Sequence, residues 1–160
     1  MKAFLSKAER VSEWVVGLGV FAMVISMALQ ILFRYFLLYP LAWTDTMARF
    51  TFVWSVFFAA FIGARKNMHV AIDMLPKRFP PFLRLASTLL INGLIIMILI
   101  VCAYYGFKLT YISQTSLLPA IPVPLGYIYL PFAISSMLTI ASIVDISRDA
   151  IVSAASEKEK

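Results

Sequence analysis

The chain has 160 residues, of which 62% are hydrophobic and only 14% charged, with a mean hydropathy of +0.89. Soluble domains carry about 25% charged residues, so the composition predicts that most of this chain lies in lipid, and the length suits one domain. The net charge of +6 comes without a basic tract interleaved with aromatic and polar residues; this argues against a nucleic-acid partner and leaves Lys and Arg to set orientation in a membrane.

A spanning helix needs about 20 mostly apolar residues. Trp14 to Phe33 is an uncharged run of 20. It is too long for a signal-peptide core, follows Glu9 and Glu13 and lacks a small-x-small cleavage site, so it is expected to remain as a span. Ahead of it, residues 2–13 carry Phe4, Leu5 and Ala8 on one side and suggest a short interfacial helix. The next run, Phe50 to Ala64, has only 15 residues; at about 1.5 Å per residue it rises roughly 22 Å, less than the hydrocarbon core. A start near Thr44 repairs this, with Thr44 as N-cap and Asp45 in the first turn. Asp45 and Arg49 then lie four apart on one face at the membrane boundary.

The connection that follows is basic and broken by Pro76, Pro80 and Pro81, with Met68 to Leu75 as a second short interfacial helix. Leu85 to Phe107 is an uncharged run of 23. Thr110 to Val144 is uncharged too, but Pro119, Pro122 and Pro124 break its front, so the last helix is expected to begin between Val123 and Tyr127, with Pro131 early inside it. The reading is an all-α integral membrane protein, one domain over 1–160, with four transmembrane helices at about 14–36, 44–64, 84–107 and 124–145. Of the fourteen basic residues, only Arg34, Arg49 and Lys108 fall on one side. The positive-inside rule therefore places both termini in the cytoplasm. No internal repeat is evident, which argues against an inverted-repeat transporter core.

Catalysis or ion coupling inside a membrane usually needs ionisable groups there, and no proposed span has one at its centre. The polar interior residues are Ser26, Gln30, Ser55, Asn92, Ser135, Thr139 and Ser142. Ala22, Ser26, Gln30 and Arg34 share one face, as do Ser55, Ala59 and Gly63; such small and polar stripes let helices approach closely. His69 is the sole histidine, which excludes bis-histidine haem ligation within the chain. His69 and Asp73 are four apart but supply two ligands and no third, so a surface polar pair is favoured over a metal. Cys102 sits in an apolar run and reads as a small buried residue. Trp14, Trp43, Tyr127 and Tyr129 mark span ends, while Trp54 is mid-helix and is expected against a partner or lipid. No cofactor is implied, and no nucleophile–base constellation or phosphate loop appears.

Trp43-Thr44-Asp45, then Arg49, Phe52-Val53-Trp54, Gly63-Ala64-Arg65 and His69-Val70-Ala71-Ile72-Asp73 together resemble the small permease subunit, of DctQ type, of tripartite ATP-independent periplasmic (TRAP) transporters. The proline-rich run Ile121-Pro122-Val123-Pro124 with Tyr127 and Pro131 is similar to that family as well. The resemblance covers the whole chain in length and span number, and its detailed motif covers Trp43 to Asp73. It departs at Thr46, where the family has a second acidic residue. It implies a non-catalytic accessory subunit in the bacterial inner membrane, within a sodium-coupled secondary transporter importing an organic acid such as a C4-dicarboxylate or sialic acid. Its partners would be a large multi-span permease subunit, which it braces, a periplasmic substrate-binding protein, and membrane lipid. Trp43, Asp45, Arg49, Trp54, Ser55, Ala59, Gly63, Arg65, His69 and Asp73 are the resulting candidates for partner contact. The competing reading is a self-sufficient four-helix transporter of the small multidrug-resistance type. That class resembles a shorter chain with an acidic residue inside the first helix, where this chain has only Ser26 and Gln30.

Overall fold

A computed structural model describes the backbone of residues 2–39, 41–74 and 81–158, and the side chains of 4–39, 41–66, 87 and 89–148. Four long helices make up almost all of it: α1 (Lys2–Tyr35), α2 (Ala42–Met74), α3 (Pro81–Ile112) and α4 (Gly126–Lys158). Each contains a stretch long and apolar enough to cross a membrane, within Phe4–Tyr35, Ala42–Lys66, Leu89–Thr115 and Gly126–Arg148. The helices have 32 to 34 residues, about 50 Å at 1.5 Å per residue, and so exceed the roughly 30 Å hydrocarbon core.

The segments expected as separate interfacial helices are helical but continuous with the spans. Residues 2–13 are the first turns of α1, and Met68 to Met74 are the last turns of α2. No Gly or Pro interrupts either junction, and extending an existing helix is far easier than nucleating a new one. Thr44 is not the N-cap. α2 begins two residues earlier, and the Thr44 hydroxyl donates back to the Leu41 carbonyl at 2.7 Å.

The helices pack in the order α1–α2–α4–α3, so α2 and α4 occupy the middle and α1 and α3 the edges. Consecutive helices run antiparallel, which brings the start of α1 and the end of α4 to the same end of the molecule. The buried apolar core is thin: Ala48, Phe58 and Phe61 of α2, Ala133, Ile143 and Ile146 of α4, Ala103 of α3 and Leu5 of α1. It is matched by buried hydroxyls, among them Ser12, Ser55, Thr110, Ser136, Thr139 and Ser142. These donate to carbonyls one turn back in their own helices, at 2.8 to 3.1 Å. A hydroxyl satisfied in this way is small and dry, and lets a neighbouring backbone come near.

Glycines mark the nearest approaches. A Cβ on Gly19 of α1 would run into the Ser55 hydroxyl of α2, and one on Gly106 of α3 would lie 3.0 Å from the Phe132 ring of α4. Between α3 and α4 a short 3-10 turn, Ser113–Thr115, leads into a hairpin-like loop. Leu118 N–H donates to Val123 O at 2.8 Å, and Leu125 N–H to Ser116 O at 2.7 Å. At its tip Ala120 has φ 64° directly after Pro119, the arrangement of a type II turn with proline at its first corner.

Candidate functional site

The candidate residues divide between the two ends of α2. Asp45 and Arg65 are twenty residues apart, about 30 Å along a helix, so the motif marks both faces of one span rather than a single pocket.

At the end shared with the hairpin loop, the Asp45 carboxylate meets the Arg49 guanidinium at 3.0 Å, with 48% and 76% of the two side chains exposed. Trp43 beside them is exposed. Among the described residues the pair is bonded within α2 alone, and it is open on the surface. Thr46, one residue on, is buried, and its hydroxyl donates to the Pro119 carbonyl at 2.6 Å. The position that departs from the family pattern is thus the one that ties α2 to the tip of the α3–α4 loop. A carboxylate has no proton to give that carbonyl, so here the hydroxyl has a task that an ionised acid could not perform.

Trp54 was expected against lipid or a partner. Its side chain is part-exposed, and its indole N–H donates to the Tyr127 carbonyl of α4 at 3.1 Å, while its ring lies between Phe50 and Phe58 at centroid separations of 5.8 and 5.9 Å. The cause is Pro131. In an α-helix the Tyr127 carbonyl would accept from the N–H of residue 131, and proline has none. The indole fills that place. Trp54→Phe is expected to cost about 1 kcal/mol in the parent chain and close to nothing in a Pro131→Ala background, where a backbone N–H returns. A double-mutant cycle on unfolding in mixed detergent reads the coupling; equal costs in both backgrounds would show the bond to be immaterial.

Of the small stripe, Ser55 is buried against Gly19, its hydroxyl bonded to Thr51 O at 2.8 Å. Ala59 is exposed, and a Cβ on Gly63 would meet nothing within 4 Å. The stripe therefore serves the α1–α2 contact at Ser55 and faces away from this chain's other helices at Ala59.

At the opposite end two ion pairs join α1 to α2. Arg65 Nε meets Glu9 Oε2 at 2.7 Å, with about a fifth of each side chain exposed, and Lys66 Nζ meets Glu13 Oε1 at 3.0 Å in a more open setting. The sequence reading used Lys66 only to set orientation and Arg65 also as a motif residue and candidate partner contact, and paired neither with α1. Their acidic partners lie more than fifty positions away, and the signal that would have found them is the spacing of Glu9 and Glu13, which presents two carboxylates on one α1 face. His69 and Asp73 belong to the α2 backbone, but their side chains lie outside the described residues. Among the described residues no group of three His, Cys, Asp or Glu could hold a metal.

The profile of the family described as tripartite ATP-independent periplasmic transporters, DctQ component, matches residues 23–151. The chain belongs to this family. Two Haemophilus influenzae (strain ATCC 51907 / DSM 11121 / KW20 / Rd) proteins, both provisionally named TRAP transporter small permease proteins, are similar to it. One is 23% identical over 137 residues, covering 84% of this chain and 83% of the relative. The other is 23% identical over 120 residues, covering 72% of each. With four helices fit to span a bilayer, this DctQ-type chain is a multi-pass membrane protein of a TRAP transporter. The matched region takes in the whole of α2, both ends of the motif and the hairpin loop. The Glu9 and Glu13 ends of the two ion pairs lie before it.

Proposed function

We propose that this chain is the non-catalytic small subunit of a sodium-coupled importer of an organic acid, that it braces a large permease subunit, and that a periplasmic binding protein delivers the solute. The observation that carries the reading is the match to the DctQ family over residues 23–151. The chemistry of the spans supports it. The mid-helix hydroxyls of Ser55, Thr139 and Ser142 are turned back onto their own backbones, and no carboxylate stands at the centre of a span to couple an ion. Substrate and sodium sites then belong to the large subunit. The small multidrug-transporter alternative is not favoured, since its acid in the first helix has no counterpart between Glu13 and Arg34.

Reconstitution tests this directly. Liposomes holding this chain alone should take up no organic acid on a sodium gradient, and those holding it with its large subunit and binding protein should. Uptake by the lone chain overturns the accessory role.

In this reading the membrane is the bacterial inner membrane, the chain forms one membrane domain, and the termini and the Glu9–Arg65 end face the cytoplasm, because eleven of fourteen basic residues lie on that side. A cysteine placed at Ser116, in a Cys102→Ser background, should then react with an impermeant maleimide on intact cells. One placed at Lys7 should not; the reverse pattern inverts the topology.

Asp45 and Arg49 are candidates for contact with the large subunit. An exposed i,i+4 pair contributes about 0.3–0.5 kcal/mol, so Asp45→Ala should leave the unfolding of the isolated chain nearly unchanged. A lower yield of complex and slower uptake would then report a partner contact. Removing Arg49 as well should recover part of the loss, because it relieves the charge stranded at the interface. Parent-like yield and uptake for Asp45→Ala would reduce the pair to a surface feature.

A further inference from the structure

The half of the molecule around the hairpin loop is short of negative charge. Between Glu13 and Asp145 the sequence holds only two acidic residues, Asp45 and Asp73, and Asp73 lies at the far end of α2. Asp45 is engaged by Arg49. Lys108 stands on α3 one turn before its end at Ile112, exposed, and among the described residues nothing pairs with it. Tyr104 and Tyr111, four residues before it and three after, share its face and are exposed. A lysine between tyrosines near a span end is the composition of a membrane–water boundary.

Beside Lys108 a groove of about 260 Å³ opens on the surface, lined by Tyr105, Gly106, Lys108, Leu109, Ile112 and, from α4, Phe132. Gly106 creates it. Without a Cβ there, the Phe132 ring and the Ala133 backbone close onto α3, within 3.0 and 3.3 Å of where that Cβ would stand, and the ring becomes the groove's second wall.

We propose that this α3–α4 groove binds one acyl chain of an anionic phospholipid whose headgroup phosphate is held by the Lys108 ammonium. Each half of the site needs the other. A soluble anion would satisfy the lysine and leave the apolar walls unused, and an apolar solute would fill the groove and leave the charge without a counter-ion. A zwitterionic lipid carries its own cation next to its phosphate and so compensates Lys108 poorly. A net-negative lipid satisfies both halves at a depth where the ammonium can reach the headgroups along its flexible stem. The proposal depends on the chain's place in the membrane and not on its role as a subunit.

The test uses the full chain reconstituted in vesicles of equal phosphatidylglycerol and phosphatidylcholine, released into detergent and weighed intact by native mass spectrometry. The parent chain should retain phosphatidylglycerol over phosphatidylcholine by about fivefold, the enrichment expected from one basic side chain facing an anionic headgroup. Lys108→Gln should bring the ratio close to one. Arg49→Gln, which removes the same charge at the same end of the molecule, should keep it. Leu109→Trp, which fills the groove, should reduce retention of both lipids. No preference in the parent chain overturns the site and leaves Lys108 for a carboxylate of a protein partner. A preference that survives Lys108→Gln overturns the headgroup contact, and unchanged retention in Leu109→Trp overturns the groove.

Discussion

Gly126→Ala is expected to destabilise the chain by about 2–3 kcal/mol, although alanine is the better helix former by roughly 1 kcal/mol. Gly126 is the first residue of α4 and is buried against the end of α3. A Cβ there would collide with the Thr110 carbonyl oxygen and lie 2.8 Å from the Gln114 amide nitrogen. The carbonyl belongs to the last turn of a helix whose Thr110 side chain is itself buried and bonded to Gly106 O at 2.9 Å, so it cannot swing aside as a flexible side chain would. Gly93 in the same α3 is the control, since a Cβ there meets nothing within 4 Å. Gly93→Ala should leave stability unchanged or raise it by up to about 1 kcal/mol. Unfolding of the solubilised chain in mixed detergent reads both variants. A Gly126→Ala protein as stable as the Gly93→Ala one would mean that α3 and α4 do not meet as described.

The second large effect is expected at Thr46. Its hydroxyl donates to Pro119 O from a buried position, and Pro119 is the first corner of the turn at the loop tip. Thr46→Val keeps the shape and removes the donor, leaving a carbonyl without its partner, at a cost of about 1–2 kcal/mol. Thr46→Ser keeps the donor and should recover most of that. The loss should concentrate in the loop, so hydrogen exchange at Leu118 and Leu125, whose amides hold the hairpin closed to Val123 O and Ser116 O, should accelerate in Thr46→Val and not in Thr46→Ser. Unchanged exchange at those two amides would show that the loop holds its shape without α2.

The number and approximate position of the spans follow from sequence alone, because lipid leaves a backbone few choices. Where water is absent every N–H and C=O must be satisfied within the segment, so an apolar run of sufficient length becomes a helix whatever surrounds it. The loop between α3 and α4 is legible for a similarly local reason: Pro119, Pro122 and Pro124 withhold three backbone donors. The family, too, is legible in the order of Trp43, Asp45, Gly63, Arg65, His69 and Asp73. The presence of Asp45 and Arg49 on one face needed only helical spacing, and the pair forms at 3.0 Å.

What α2 does with its polar side chains depended on the tertiary structure. From the sequence, Pro131 discloses that the Tyr127 carbonyl has lost its donor, but it does not say that Trp54, 73 positions away, supplies a new one. Thr46 reaches Pro119 across the same separation, because the loop tip and the start of α4 both close onto α2. The Glu9–Arg65 contact belongs to the same class. In lipid nothing apolar distinguishes one helix neighbour from another, and the order α1–α2–α4–α3 is decided by where backbones can come close, at Gly19, Gly106 and Gly126, and where a few donors find carbonyls. Those are properties of pairs of surfaces, and no single stretch of the chain contains them.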